Sequence, residues 1–164
     1  MEAIVAVFPD WGIGSEGTQQ VVLKADRKHF RALTDGAAVL VGRRTLQDFP
    51  GGRPLKGRHN IVLTRGELKL EGAQVVHSEA EAVEAARACD RCLVVGGASV
   101  YRQMLPHVDT VHVTQIDRTL RSDSFFPNLD ESPDWRRTFC GPWLEEDGVP
   151  YRFATYQRIP IKED

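Results

Sequence analysis

The chain has 164 residues, of which 41% are hydrophobic and 27% charged, and its net charge at pH 7 is −2. This length and composition predict one soluble globular domain over residues 1–164. Charges of both signs are interspersed without a polybasic run, which argues against nucleic acid as a partner. The apolar runs are too short to span a bilayer, so we expect no membrane partner.

The N-terminus and the cysteines predict where the protein acts. Residues 1–8 lack the basic region and long apolar segment of a signal peptide and are typical of a first strand. Three cysteines, an odd number, argue against a disulfide framework and favour a reducing compartment, so we expect a cytoplasmic protein. The C-x-x-C pair of Cys89 and Cys92 lacks a second ligand pair, and we interpret it as a helix end followed by a strand start. The five histidines are scattered, so we expect no metal site.

The chain begins with a strand, a glycine-rich loop and a helix. Residues 3–8 are apolar and predict the strand. Residues 9–18 contain three glycines and form either a mobile segment over a ligand or a plain surface loop. Over residues 23–33 the apolar spacing turns helical, and Asp26 shares a face with two apolar side chains, Phe30 and Leu33. Asp26 is thus either a carboxylate in a pocket or a first-turn acid complementing the helix dipole.

Three continuous apolar runs predict buried strands that end in glycine or in a hydroxyl and a cation. They are residues 37–41 before Gly42-Arg43-Arg44-Thr45, residues 60–63 before Thr64-Arg65, and residues 93–95 before Gly96-Gly97. Glycine lets a backbone approach a ligand closely, and N–H groups at the start of a following helix suit a phosphate. Ligands of open α/β sheets bind beyond the carboxyl ends of the strands. Each turn alone is also compatible with a tight connection without a ligand, but three together favour a phosphate-bearing ligand.

The remaining segments complete an α/β pattern. Residues 74–77 predict a short strand, and Ser78 with Glu81 predicts a capping box for a helix over residues 79–88. A further helix is predicted over residues 99–105, and later strands near residues 110–116, 136–139 and 151–158. The order β-α-β-β-β-α-β-α-β-β-β implies a mostly parallel sheet flanked by helices, with antiparallel strands at the end.

In this order and spacing, the segments resemble the dihydrofolate reductase family over nearly the whole chain. The matching pieces are Asp26 with Phe30 and residues 11–14, 41–45, 57–64, 95–101, 114–117 and 123–127. The resemblance implies an α/β fold with a mostly parallel eight-stranded sheet whose C-terminal strand is antiparallel. It also implies NADPH-dependent reduction of 7,8-dihydrofolate to 5,6,7,8-tetrahydrofolate by hydride transfer.

The resemblance places the substrate site around Asp26. It implies that Asp26 supports pterin binding and protonation, with Thr114 as its hydroxyl partner, because a carboxylate can accept a ring N–H and an exocyclic amine side by side. Burial among apolar side chains is expected to raise the pKa of Asp26, so that it can hold a proton near neutral pH. Arg58 is expected to bind the glutamate α-carboxylate of folate. The other substrate-binding residues that it implies are Ile4, Val5, Arg27, Phe30, Phe49, Leu55 and Val95.

The resemblance also implies NADPH as the cofactor. It implies that the nicotinamide is flanked by Ala6, Ile13 and Gly14. At the adenosine end it implies Gly42, Arg43, Arg44, Thr45, Leu63, Thr64, Arg65 and His77. A further cofactor-binding segment starts at an expected cis peptide and comprises Gly96, Gly97, Ala98, Ser99, Val100 and Tyr101. Cations at Arg43 and Arg65 favour the 2′-phosphate and hence NADPH over NADH.

The chain departs from the family pattern before the predicted Asp26 helix, as in a bacterial branch without the usual Leu-Pro-Trp. Gln19, Gln20 and Val21 stand at that place, Lys24 replaces a usual proline, and Arg27 replaces an apolar residue. Arg27 forms a salt bridge in the neighbourhood of Asp26, contacts the folate glutamate or points to solvent, and we favour the last two. The missing Trp normally helps to hold a water beside the pterin, so we expect altered proton delivery and weaker binding of diaminopyrimidine inhibitors.

Two other functions stay open. A reductase of the same fold acting on another pterin or on a ribosylaminopyrimidine would not need Arg58. A non-catalytic module would bind NADPH without oxidising it. We expect a monomer, because no long amphipathic or apolar surface element is left unplaced.

Overall fold

The structure is a computed structural model of the chain, and it describes residues 1–15 and 21–160. Its strands are β1 (Glu2–Val7), β2 (Gly12–Gly14), β3 (Ala38–Gly42), β4 (His59–Leu63), β5 (Ala73–Val76), β6 (Cys92–Gly96), β7 (Thr110–Ile116), β8 (Ser124–Phe125), β9 (Trp135–Cys140), β10 (Leu144–Glu146) and β11 (Val149–Arg158). Its helices are α1 (Lys24–Thr34), α2 (Arg43–Gln47), α3 (Glu79–Arg87) and α4 (Ala98–Met104), with short 3-10 turns at Pro50–Gly52 and Leu105–His107.

The main sheet follows the order β10-β11-β7-β1-β6-β3-β4-β5, and β9 also pairs with β11. The pairs within β7-β1-β6-β3-β4-β5 are all parallel, whereas β11 runs antiparallel to β7. Because β9 and β10 pair with successive parts of β11, they share one edge position, and the sheet across the described residues is eight strands wide. The predicted fold class is therefore confirmed.

Apolar runs place the central strands in the core, with helices on both faces of the sheet. Val39, Leu40 and Val41 are fully buried, as a strand covered on both faces requires. On one face, Phe30 and Leu33 of α1 pack against Ile4, Leu93 and Val95. On the other face, a larger cluster joins α3 and α4 to the sheet through Ala82, Tyr101 and Met104 with Val5, Leu40 and Val94.

The predicted helix ends agree with the structure to within a residue or two. Ser78 Oγ accepts the N–H of Glu81 at 3.1 Å, and the Glu81 carboxylate in turn accepts the N–H of His77 at 2.8 Å. The second bond of the capping box therefore falls one residue earlier than the usual pattern. Cys89 lies two residues after the end of α3 and Cys92 begins β6, in agreement with the interpretation of the C-x-x-C as a helix end and a strand start.

Three short strands were not predicted, namely β2, β8 and β10. Within the loop over residues 9–18, β2 pairs antiparallel with β8, which lies in a segment expected to be only a connection. The two strands contain three and two residues, too few to show alternation in the sequence. No helix in the described residues is long and apolar enough to cross a membrane.

Candidate active site

The centre of the candidate site is a hydrogen bond between α1 and β7. Asp26 lies in the first turn of α1, and Thr114 Oγ1 donates to its Oδ1 at 2.6 Å. Thr114 is buried, and the Asp26 carboxyl is largely withdrawn from solvent. Desolvation raises the pKa of Asp26 and the negative charge of Glu146 raises it further, while the bond from Thr114 lowers it. The net effect is a raised pKa, so this carboxyl keeps its proton to a higher pH than an exposed one.

The register of the sheet sets Asp26 beside the predicted nicotinamide position. Ala6 of β1 lies directly opposite Thr114 of β7, and Ile4 lies two residues earlier opposite His112. Because alternate side chains of a strand share a face, Ile4 and Ala6 lie on the same face of β1. The hydroxyl that binds Asp26 and the predicted site of hydride donation are thus adjacent positions of neighbouring strands.

Apolar side chains form a wall next to this carboxyl. Ile4, Phe30 and Val95 belong to one cluster, and Val95 also contacts the cluster that contains Phe49. The side chain of Val5 points to the opposite face and packs in the main core, so it can contribute only its main chain to a pocket on the Asp26 side. Four of the predicted lining residues therefore come together through their side chains.

Arg58 is held by its own surroundings in a fixed orientation. Its Nε donates to Thr34 Oγ1 at 3.1 Å, one terminal nitrogen donates to the carbonyl of Lys56 at 2.6 Å, and the other donates to the carbonyl of Arg31 at 3.2 Å. These bonds leave one further N–H on each terminal nitrogen, which is the donor pair that a carboxylate accepts. Arg58 thus combines a rigid mount with an available fork.

Two buried polar residues that were not predicted support Arg58 and Leu55. Thr34 is fully buried and donates to the carbonyl of Phe30 at 2.7 Å while it accepts from Arg58. Asn60 exchanges two 2.9 Å bonds with the main chain of Leu55 and donates to the carbonyl of Arg58 at 3.1 Å. The available signal was the polar residue at the head of the apolar run 60–63, since a buried amide must be fully bonded.

The glycine turns after β3 and β6 pack against each other. A Cβ at Gly97 would stand 3.0 Å from Thr45 Oγ1, and a Cβ at Gly42 would stand 3.0 Å from a methyl carbon of Val100. The peptide between Gly96 and Gly97 is cis, which confirms that expectation. The two glycine main chains and Thr45 therefore form a close cradle that larger residues would fill. Below it, Val100 and Tyr101 are buried in the main core, and the Tyr101 hydroxyl donates to the carbonyl of Ile4 at 2.6 Å.

Cations gather beyond the carboxyl ends of β3, β4 and β5. Arg43, Arg44 and Arg65 are exposed, and the Arg43 guanidinium lies next to Gly66. Leu63 pairs with Gly42 on one side and with Val76 on the other, which brings the three strand ends together. His77 contacts the carbonyl of Thr64 at 3.0 Å through Nδ1, and Thr64 Oγ1 accepts the N–H of Gly66 at 3.3 Å. The predicted adenosine-end residues thus lie at one edge of the sheet.

Residues 11–14 of the loop after β1 are held by contacts with distant parts of the chain. Trp11 is buried and lies edge-on to Tyr156 with ring centroids 5.7 Å apart. The carbonyl of Gly14, in the ribbon of β2 and β8, accepts the N–H of Asp123 at 3.0 Å. This bond fixes Gly14 and its neighbour Ile13 against β8. The predictions made for Gln19 and Gln20 lie outside the described residues.

Val21 is half-buried and packs with Ala6 and Ala25 in the cluster around Leu23. Val21 thus brings an apolar side chain without a hydrogen-bonding atom next to the candidate site. Arg27, next to Asp26, is exposed, as the two favoured alternatives for it require. Within residues 1–15 and 21–160, no group of three or more His, Cys, Asp or Glu residues could hold a metal ion.

Comparison with known proteins agrees with this geometry. The sequence model of the family described as dihydrofolate reductase matches residues 1–158. Dihydrofolate reductase type 3 of Salmonella typhimurium is 37% identical over 117 residues, which are 71% of each chain. A dihydrofolate reductase of Mycobacterium tuberculosis is 37% identical over 152 residues, covering 89% of this chain and 90% of its own.

A solved structure extends the match to three dimensions. A dihydrofolate reductase from Enterococcus faecalis, complexed with NADP(H) and RAB-propyl, superposes with a TM-score of 0.85 at 31% identity. The match covers 96% of this chain and 95% of that one. The chain therefore belongs to the dihydrofolate reductase family of NADPH-dependent oxidoreductases.

Proposed function

We propose that this protein reduces 7,8-dihydrofolate to 5,6,7,8-tetrahydrofolate by hydride transfer from NADPH, with Asp26 supporting pterin binding and protonation. The observation that carries the proposal is the Asp26–Thr114 pair, withdrawn from water next to Ala6 on the face that carries the apolar wall. A single carboxyl that keeps its proton to a raised pH suits a reaction in which a substrate nitrogen must be protonated as the neighbouring carbon accepts hydride.

The residues present fit NADPH. Glycine at positions 42 and 97 keeps this cradle open, since an added Cβ would meet Val100 or Thr45 at 3.0 Å and force those side chains to shift. The exposed Arg43 and Arg65 offer cations beyond the adjacent strand ends, which favours a cofactor with a 2′-phosphate over one without it. When bound, NADPH supplies the hydride, and the chain's own residues bind and orient the two reactants.

The substrate side divides into a pterin end and a glutamate end. At the pterin end, Thr114 donates to one oxygen of Asp26, which leaves the other oxygen as an acceptor for the pterin. At the other end, the free N–H pair of Arg58 suits the planar α-carboxylate of a glutamyl tail. A substrate without that carboxylate would leave the rigidly mounted Arg58 without a role, which favours a folate over other pterins.

The proposal is tested by the decrease of NADPH absorbance on addition of dihydrofolate. Wild type, Asp26→Asn and a matched control, Asp90→Asn, are measured at neutral pH. Asp90 is exposed in the turn before β6, at the opposite end of that strand from the cis peptide, so its variant should keep the wild-type rate. Turnover by the wild type that collapses only in Asp26→Asn supports the proposal. Bound NADPH without turnover of dihydrofolate by the wild type would contradict it and point to another substrate or a non-catalytic module.

We further propose that the protein acts as a cytoplasmic monomer with neither nucleic acid nor membrane as a partner. Its net charge of −2 gives no basic field. The apolar side chains exposed near the edge formed by β9 and β10 are those of Phe139, Trp143 and Leu144. The Arg152 guanidinium covers the ring of Trp143 at 4.4 Å from its centroid, so this residue is partly shielded within its own chain. Sedimentation at micromolar concentration should give the mass of one chain, and a dimer would contradict this part of the proposal.

A further inference from the structure

The helix that carries Asp26 begins without a cap of its own. Leu23 occupies the N-cap position and provides no side-chain hydrogen bond. The first two amides of α1 are bonded instead by a distant carboxylate. The N–H of Lys24 donates to Glu146 Oε2 at 2.7 Å, and the N–H of Ala25 donates to Glu146 Oε1 at 3.0 Å. Glu146, at the end of β10, lies 122 residues from Lys24 in the chain.

We propose that Glu146 is a positioning residue for the reaction proposed above: its carboxylate anchors the first turn of α1 and sets a second negative charge near Asp26. This inference rests on the proposed function, because Asp26 is the group that Glu146 positions. The two anchored residues, Lys24 and Ala25, directly precede Asp26. A shift of this turn would therefore move the Asp26 carboxyl relative to Thr114, to which it is bonded at 2.6 Å.

The arrangement leaves Asp26 available to a ligand. An acidic residue in the first turn of a helix commonly interacts with the helix's own free N–H groups, which carry partial positive charge. Here Glu146 bonds those groups with both of its oxygens, so Asp26 can turn away from its own helix toward β7. The usual capping role and the candidate catalytic role are thus assigned to two different carboxylates.

The charge of Glu146 has a second consequence. It raises the pKa of Asp26 beyond the effect of burial, because two negative charges near one helix start repel each other. The other titratable or charged side chains on elements around these two carboxylates are Lys24, Arg27, Lys28, His29 and Arg31 on α1, Tyr101 and Arg102 on α4, His112 on β7, Glu145 on β10, and Tyr151, Arg152, Tyr156 and Arg158 on β11. The causes of the shifted pKa of Asp26 are burial, the bond from Thr114 and the charge of Glu146.

Lys24 provides a way to separate anchoring from charge. Proline has no N–H, and it is tolerated at the first position of a helix. Lys24→Pro would therefore remove one of the two anchoring bonds and keep the charge of Glu146, whereas Lys24→Ala would keep the N–H. The usual proline of the family at this position could not make the bond that Lys24 makes here.

The experiment compares Glu146→Gln with Glu145→Gln, an exposed carboxylate on the same strand, as the matched control. The pH dependence of kcat/KM for dihydrofolate and the titration of the ¹³C-labelled Asp26 carboxyl are both measured. In Glu146→Gln both should move to lower pH by about half a unit to one unit, because a like charge has been removed. Glu145→Gln should titrate as the wild type does.

Anchoring is tested separately by the Lys24 variants. Lys24→Pro should raise the KM for dihydrofolate about threefold or more. Any shift of its Asp26 titration should be toward higher pH, opposite to that of Glu146→Gln, because a weakened bond from Thr114 lowers the pKa less while Glu146 keeps its charge. Lys24→Ala should leave both unchanged. A Glu146→Gln protein that only loses thermal stability, with its Asp26 titration unmoved, would overturn the inference. The carboxyl titration needs no turnover, so absence of dihydrofolate reduction by the wild type would refute the proposed function without deciding this test.

Discussion

Replacing Thr114 by valine isolates the bond at the centre of the candidate site. The two side chains have nearly the same shape, so Thr114→Val removes the hydroxyl that donates to Asp26 at 2.6 Å and leaves little empty space. A hydrogen bond to a charged group contributes about 1.5–3 kcal/mol. Since one pKa unit corresponds to about 1.4 kcal/mol, loss of this bond should shift the pKa of Asp26 by about one to two units.

The sign follows from which form of Asp26 the bond favours. Thr114 donates to the carboxylate and lowers the pKa of Asp26, so its loss should raise a pKa that burial has already raised. The folded-state pKa then lies further above the unfolded value, and stability is lost as pH rises through it. Thr114→Val should therefore cost about 1.5–3 kcal/mol of unfolding free energy at pH 8 and less at pH 4.

The assay combines ¹³C titration of the Asp26 carboxyl with urea denaturation at the two pH values. Thr110→Val is the matched control, because Thr110 lies on the same face of β7 but four residues, about 13 Å, from Thr114. It should leave the Asp26 titration unchanged. An Asp26 pKa that stays in place or falls in Thr114→Val would show that Thr114 does not stabilise the Asp26 carboxylate, as would a loss of stability equal at both pH values.

Three further predictions concern the binding of the glutamyl tail of the substrate, the ion pairs at the amino end of the sheet, and the affinity for diaminopyrimidine inhibitors. Arg58→Lys loses the planar guanidinium and its hydrogen bond to Thr34. The KM for dihydrofolate should therefore rise about tenfold or more, while the Kd for NADPH stays unchanged. An unchanged KM in steady-state kinetics would exclude a contact between Arg58 and the glutamyl tail. Glu2 accepts bonds from Arg91 and His112, which lower its pKa from 4.5 to about 2, so its contribution to stability is present above pH 4.5 and is lost as pH falls toward 2. With allowance for solvent screening of the exposed Arg91, Glu2→Gln should therefore lower the unfolding free energy by about 1–2 kcal/mol at pH 7 and by little near pH 2. Equal losses at the two pH values would contradict the pairing of Glu2 with Arg91 and His112. Because Val21 offers no hydrogen bond beside the candidate site, diaminopyrimidine inhibitors should bind more weakly than to a Val21→Trp variant, and equal inhibition constants would remove the idea.

The parts of the fold that the sequence predicts are those governed by local pattern. The buried run Val39–Val41, the alternating strand over residues 110–116 and the cap at Ser78 each follow from neighbouring residues. The common face of Asp26 and Phe30 follows from helical period alone. These elements agree with the structure because local preference and tertiary packing favour the same conformation.

The unpredicted features depend on contacts between distant parts of the chain. The ribbon of β2 and β8 is too short to leave a pattern, and β9 and β10 share an edge position because of where they meet β11. The Glu146 cap on α1 and the mount of Arg58 on Thr34 join residues far apart in sequence. The partnership of Asp26 and Thr114 followed from the family resemblance, since no spacing rule connects a helix to a strand 88 residues later.

The proton-holding role of Asp26 is best measured by the pH dependence of turnover in Asp26→Asn compared with that of the wild type. If Asp26 holds the proton for the pterin, the wild-type rate should level off below the raised pKa of Asp26 and decline above it. Without the carboxyl, the reaction depends on substrate already protonated in solution, so the Asp26→Asn rate should be far lower at neutral pH and should keep rising as pH falls. A variant with the wild-type rate and the same levelling-off would show that the proton comes from elsewhere.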